Sequence, residues 1–380
     1  MAGIASAIIL AGCADVNTSP QTATPATPKS AQTQTVKIGF VGPLSGPAAA
    51  VGEQMKKVLD YALPTVNKKY LDKGYQFELI YEDGKCSGGD SATAFQKLTD
   101  VDGVKFIIGG ACSSESLGFA PLLVDKKVVA VSALSSSPDL EGKSPNLFSL
   151  SYSDDGNAKV MADQLGKYSK IAMINEQNDY NEAIRKNVEK NLKEKYPSAT
   201  IVDNEKFPKG STDFRNILAK IKAAKPDVLF INSNVGTTSE ALIKQLAEIK
   251  DWNVEKVAGI NMMGDNVLKI APQTLEGTII VDAPKINTAE FLDLMNKIIA
   301  EKGKLDDIGN YYVAATLDDL NIMAQVISEN NNNVPAVQGA LSTQTFSGYL
   351  GNNLMFGGKT FVQGIGVAKF VIKDGKVVPM

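Results

Sequence analysis

The sequence predicts an α/β protein of two lobes, each a mostly parallel sheet flanked by helices, with a hinge that the chain crosses three times. Short β-rich runs alternate with helical patterns many times over from Val36 onward, which is the signature of parallel α/β layers. The alternation breaks near Ser151 and again near Ala283, and it gives way to strand pattern after "TFSGYLG". At 380 residues the chain also exceeds what one small core requires and fits two domains of ordinary size.

In chain order the strand candidates of the first lobe are "VKIGFVG", "QFELIYE", "VKFIIGG" and "VVAVSA". Between the first two, "GEQMKKVLDYALPTVNKKY" places Met55, Leu59, Leu63 and Val66 on one helical face. The extended stretch "LFSLSYSDD" then opens a fresh series, "KIAMIN", "TIVDNEKF", "DVLFIN", "KVAGIN" and "GTIIVDAP". Within it, "DFRNILAKIKAAK" aligns Phe214, Leu218 and Ile221 on one face. Two long helices follow, "AEFLDLMNKIIAEKG" and "YYVAATLDDLNIMAQVISENN", and then "NNLMFGG" and "TFVQGIGVAKFVIKDGKVV" read as strand. The expected boundaries are 36–151 plus 284–345 for the first lobe and 152–283 plus 346–380 for the second.

Composition excludes much chemistry. The chain has no histidine, which removes His-dependent triads, imidazole bases and most catalytic zinc sites. It contains no G-x-S-x-G, no G-x-x-x-x-G-K-[ST] and no C-x-x-C, and its glycines complete no dinucleotide fingerprint. No nucleophile and base pair can be assembled, so the expectation is a protein that is not an enzyme and has no cofactor or metal. A charge of -3, from 39 basic and 42 acidic residues, offers no basic footprint for nucleic acid.

The first 12 residues are expected to be a signal peptide, since the apolar stretch Ile4 to Leu10 is too short for a retained membrane span. "LAGC", Leu10 to Cys13, resembles the lipobox of bacterial lipoprotein signals, in which the cysteine is lipidated and becomes the mature N-terminus. No Lys or Arg precedes the apolar stretch, the one departure, and it points to a start upstream of Met1. The alternative is an ordinary signal with an incidental Cys13; either way the chain is exported. Residues 13–35, rich in Thr, Pro, Ser, Ala and Gln, cannot bury enough apolar surface to offset their ordering entropy and are expected to form a disordered tether.

Export bears on the other two cysteines. In an oxidising compartment Cys86 and Cys112, each just beyond an expected strand and 26 positions apart, can pair, stabilising the fold by roughly 3 to 4 kcal/mol; the alternative is two free buried thiols. Ser113 or Ser114 can cap the helix "SESLGFAPLLVD", and "SALSSSPDL" repeats the arrangement with Ser137 as cap and Pro138 in the first helical position. Both loops present N–H groups and hydroxyls beyond strand carboxyl ends, where a ligand carboxylate would sit well, although the serines could serve only as caps. Across the cleft, "INEQNDYNEA", "INSNVGTTSEA" and "GINMMGDNVL" supply Tyr180, Asn234 and Asp265, and a carboxylate there could hold an ammonium group. Asp265 could equally cap "NVLKIA".

The chain resembles the type I periplasmic binding proteins of ABC importers, in their branched-chain amino acid (Leu/Ile/Val) branch. The residues that carry the resemblance are "VKIGFVGPLSGPAAAVGEQMKKVLDYA", "YEDGKC" and "GGACSSES" with their paired cysteines, "SALSSSPDL", "NEQNDY", "GSTDFRNILAKIKAAKPDVLFI" and "FSGYLGN", over nearly all of Val36 to Met380. The resemblance implies two α/β lobes with three hinge strands and a ligand buried between them by closure. It places Ser113, Ser135 (largely through its backbone) and Ser136 on the ligand carboxylate and Tyr180 as the second-lobe aromatic. It leaves Asn261 and Asp265 both open for the ammonium. Val51, where an aromatic is often found, and Ser233 or Asn234, where a tyrosine is common, depart from the pattern and put leucine, isoleucine and valine specifically in doubt.

The expected function is therefore that of an exported, lipid-anchored monomer facing the periplasm or cell exterior. It would capture a small amino acid or related carboxylate and deliver it to an ABC permease in the membrane. A sensory module for a receptor, and a binder of an amide or another solute, are the alternatives.

Overall fold

The computed structural model describes Gly3 and residues 33–380 apart from 235, 260–264 and 306–307, with residue 265 described by its backbone alone. The expected signal peptide apart from Gly3, together with Cys13, Asn261 and most of the expected tether, lies outside these residues. Gln34 and Thr35, assigned to the tether from sequence, instead pair with Tyr75 and Gln76 at the start of a strand. Their backbone groups complete a ladder, whatever their polar side chains favour.

The first half runs β1 (Gln34–Gly42), α1 (Ala49–Leu71), β2 (Tyr75–Asp83), α2 (Gly88–Gln96), β3 (Phe106–Gly109), α3 (Ser113–Phe119), β4 (Val129–Ser132) and β5 (Leu147–Ser149). The second runs α4 (Asp155–Leu165), β6 (Lys170–Gln177), α5 (Asp179–Lys195), β7 (Thr200–Pro208), α6 (Arg215–Ala223), β8 (Val228–Asn232), α7 (Thr237–Glu248), β9 (Glu255–Ala258), α8 (Asp265–Ile270), α9 (Pro272–Leu275) and β10 (Ile279–Asp282). The chain ends with α10 (Ala289–Lys302), α11 (Asn310–Glu329), α12 (Val334–Thr343), β11 (Thr345–Gly348), β12 (Gly351–Met355), β13 (Ala368–Lys373) and β14 (Lys376–Pro379).

The first sheet has the order β2-β1-β3-β4-β5 and is parallel throughout. In the second, β7-β6-β8-β9-β10 repeats that winding in parallel, and β13 and β14 add an antiparallel edge. Successive strand residues point to opposite faces and so supply two cores per sheet. Ile38, Phe40, Phe106, Ile108, Val129 and Val131 pack under α1, α10, α11 and α12. Val41, Ile107 and Ala130 pack under α2 and α3. The second sheet behaves alike, with Ile174, Leu229 and Ile231 under α6 and α7 and with Ile171, Met173 and Phe230 under α4 and α5. In the α1 face read from sequence, Met55, Leu59 and Val66 are buried and Leu63 is partly so.

The chain leaves the first sheet after Ser149, returns after Asp282, and leaves again near Val362. That third position corrects the expected boundary at 345. Phe346, Leu354, Phe356 and Val362 belong to the core under α11 and α12, and Phe361 bridges to Ser149, so the β11–β12 hairpin stays with the first sheet. The reading of 360–367 as strand is corrected too, because only isolated bridges at Phe361 and Gln363 occur before β13. Alternating apolar residues mark this segment because it packs across two bodies, a burial pattern that mimics a ladder.

Candidate functional site

In each sheet the winding reverses between the first and third strands of its half, β1/β3 in one and β6/β8 in the other, and open α/β sheets bind ligands beyond the carboxyl ends at such points. Loops following these strands meet in a cleft with about 600 Å³ of empty space, part of it open to solvent. Ala48, Val51, Ala111, Ser113, Ser114, Leu134, Ser136 and the Cys86–Cys112 disulfide line it from the first lobe, and Asn178, Tyr180 and Asn234 from the second, with Tyr312 of α11 between them. Four of the residues expected from sequence, Ser113, Ser136, Tyr180 and Asn234, therefore come together. Among the described lining residues there is no cationic side chain.

Ser135 is the exception. Its N–H donates to Ser132 Oγ (2.9 Å), its hydroxyl to the Gly110 carbonyl (2.7 Å), and its carbonyl accepts from Ser149 Oγ (2.7 Å), so its polar groups tie the β4 loop to the sheet and it does not line the cleft. The capping roles also differ from expectation. Ser113 Oγ accepts from the N–H groups of Ser136 and Ser137, Ser114 Oγ donates to the Cys86 carbonyl, and Cys112 opens α3 with its N–H held by Glu115 Oε2 (2.9 Å). Ser137 does cap, accepting from the Asp139 N–H above a single 3-10 turn that begins at Pro138. Asn261 lies outside the described residues, and Asp265 opens α8, its side chain likewise outside them.

Glu115 completes the disulfide loop. Its other oxygen accepts from the Cys86 N–H at 2.8 Å, so one carboxyl spans both half-cystines, whose Cα atoms are 5.2 Å apart. Burial raises its pKa to about 7 against the pull of those two N–H groups. Gly84 is needed for this approach, since a Cβ there would lie 2.4 Å from Glu115 Oε1. Replacing both Cys86 and Cys112 with Ser is expected to lower the melting temperature by about 5 °C or more, read by calorimetry. Finding two titratable thiols at these positions in the denatured, unreduced wild type would instead show that no bond forms.

A buried polar cluster behind the cleft was missed by the sequence reading. Asp154, 1 % exposed, adjoins the Ser136 hydroxyl, receives a hydrogen bond from Asn157 Nδ2 at Oδ1, and has no partner for Oδ2 among the described residues. Burial lifts its pKa to about 8, with Asp282 adding to the rise. Asp282 accepts from the hydroxyls of Tyr152 (3.1 Å) and Tyr312 (3.2 Å) and is itself raised to about 6 by burial. Ser136 meets the Tyr180 hydroxyl as well, and burial pushes that phenol well above its usual range. The available signal was the acidic pair in "SYSDD", read only as a domain boundary.

The sequence profile of the periplasmic binding protein family matches residues 35–376. The chain is 26% identical to the Leu/Ile/Val-binding protein of Citrobacter freundii over 200 residues, covering 51% of this chain and about half (53%) of that protein. It is 25% identical to Leu/Ile/Val-binding protein homolog 2 of Brucella abortus over 304 residues, covering 78% of this chain and 80% of the relative. Among solved structures, a solute binding protein of an ABC transporter from R. palustris in complex with 4-hydroxybenzoate superposes with a TM-score of 0.79 at 19% identity, covering 91% of this chain and 96% of that one. A leucine binding protein from Thermotoga maritima does so with 0.74 at 17%, covering 91% and 97%. Among the described residues no helix is long and apolar enough to cross a membrane, and no group of three or more His, Cys, Asp or Glu is placed to hold a metal ion. With a family match spanning nearly all of both sheets, and the cleft between them at their switch points, the chain belongs to the periplasmic binding protein family, whose members bind solutes and do not transform them.

Proposed function

We propose that the protein captures a small amino acid between its lobes and presents it to the permease of an ABC importer. The observation that carries the ligand class is Asp154, a carboxyl buried directly behind the cleft-lining Ser136 and not itself on the cleft wall, with one oxygen lacking a partner among the described residues. An ammonium group placed there would favour its ionised form, whereas a ligand that brought only a carboxylate would meet like charge. Ser113 and Ser136 supply neutral donors for the ligand carboxylate, Tyr180 covers it from the other lobe, and Ala48, Val51, Ala111 and Leu134 leave an apolar wall for a small aliphatic side chain. Closure of the hinge then follows from contacts that the ligand makes to both lobes at once.

A thermal-shift screen of the protein against the standard amino acids, their amides and hydroxybenzoates tests the reading, since ligand at 100 times its Kd adds about 2.7 kcal/mol. A shift with amino acids is expected. A shift confined to hydroxybenzoates would replace the amino acid reading with an aromatic acid one, a ligand class found in the R. palustris neighbour.

Cys13 is the proposed lipid attachment site that keeps the protein near its permease, facing the periplasm or cell exterior. Cys13→Ser is expected to move the protein from the membrane fraction to the soluble one. Unchanged membrane retention would remove that assignment.

A further inference from the structure

The loop between β2 and α2 carries an unusual backbone. Lys85 and Cys86 are consecutive non-glycine residues in the left-handed region, with φ of 52° and 54°. Such a pair persists only where its surroundings over-determine it. Here the disulfide, the Glu115 carboxyl on the Cys86 N–H and the Ser114 hydroxyl on the Cys86 carbonyl (3.1 Å) hold the loop in place. What this conformation presents to the second lobe is a pair of adjacent carbonyls, and Lys209, the residue after β7, donates its ammonium group to both: to Cys86 O at 2.9 Å and to Lys85 O.

We propose that Lys209 is a positioning residue for ligand retention, a latch that holds the lobes closed by seating its ammonium on the carbonyls of the disulfide-held loop. The charges that face it are Glu115, Asp90 and Asp83 from the first lobe and Glu176 from the second, so the cation also balances acidic groups on both sides of the seam. The lobes touch closely beside it, because a Cβ on Gly236 would lie 2.3 Å from the Pro47 carbonyl. Lys209 does not line the cleft, so it acts on the ligand only through closure. A lysine with this many converging partners outweighs an exposed ion pair, whose worth is small.

Hydrogen exchange followed by mass spectrometry on the ligand-free full chain tests the latch. Lys209→Met is expected to speed exchange about tenfold or more in the cleft-facing segments 110–116 and 178–181, the loss appropriate to charge-assisted hydrogen bonds, while the core strands β6 and β8 keep their protection. Lys209→Arg is expected to restore most of the protection, since the guanidinium can also donate to two carbonyls. Two results would overturn the proposal: wild-type exchange in the cleft segments of Lys209→Met, or equal acceleration in Met and Arg variants, which would make Lys209 a packing contact. Because exchange is read without ligand, a mistaken ligand class would appear in the thermal-shift screen and leave this result unmoved.

Discussion

Asp154→Asn is expected to bind the proposed amino acid ligand at least ~100-fold more weakly than wild type while melting several degrees higher. The loss follows from removing one partner of a buried charge pair, which typically costs 2 to 5 kcal/mol. The gain follows from the unliganded state. There the Asp154 carboxyl is buried and its pKa is lifted to about 8, whereas an amide carries no charge to desolvate and can still accept from Asn157 Nδ2 through its own oxygen. An ammonium ligand requires the ionised carboxylate, so wild-type affinity is expected to rise between pH 5 and pH 8 and binding to release protons, both effects vanishing in the Asn variant. Titration calorimetry in two buffers of different ionisation enthalpy reads the proton count directly. Unchanged affinity in Asp154→Asn would remove Asp154 from the site.

Ligand-free protein is expected to melt substantially higher at pH 5 than at pH 8. Burial raises the carboxyls of Glu115 to about 7, Asp154 to about 8, Asp282 and Asp318 to about 6, and Asp319 well above its ordinary value. A carboxyl whose folded value exceeds its unfolded one binds its proton more tightly when folded, so its contribution is complete below about pH 4 and is lost as pH climbs through the folded value. Each unit weighs about 1.4 kcal/mol, so Glu115 alone, raised from 4.5 to about 7, costs ~3 kcal/mol across the window. Carboxyls held low by their partners, such as Asp83 and Glu182, act below this range and do not offset it. The lysines lowered by burial, Lys209, Lys256 and Lys285, act on its alkaline side. Asp319 is fully buried in α11 and both its carboxyl oxygens lack partners among the described residues, so Asp319→Asn is expected to flatten part of the slope. A melting temperature that is level or rising from pH 5 to pH 8 would contradict the whole assignment.

How far the sequence reached can be argued from particular residues. The short apolar runs of β1, β3, β6 and β8 and the Met55/Leu59/Val66 face of α1 were legible because a strand covered by helices on both faces is apolar almost throughout, and a helix buried on one face is apolar at helical spacing. The serine loops and Tyr180 were legible because a doubly wound sheet presents its loops at one end, wherever the rest of the chain goes. Ser135, expected to meet the ligand largely through its backbone, has its N–H, carbonyl and hydroxyl engaged in tying the β4 loop to the sheet, and the sequence does not separate such a residue from the lining serines Ser113 and Ser136 because all three share one composition.

From the sequence alone came the α/β class, the alternation of elements, the absence of histidine chemistry and the cysteines able to pair, all properties of local pattern or composition. Tertiary structure alone decided that the β11–β12 hairpin stays with the first sheet, that Asp154 sits in the dark behind Ser136, and that Lys209 reaches across to the carbonyls of Lys85 and Cys86. Each of these depends on which distant segments become neighbours, and a carboxyl or an ammonium acquires its chemistry from the water it loses and the partner it meets, neither of which is written at its own position in the chain.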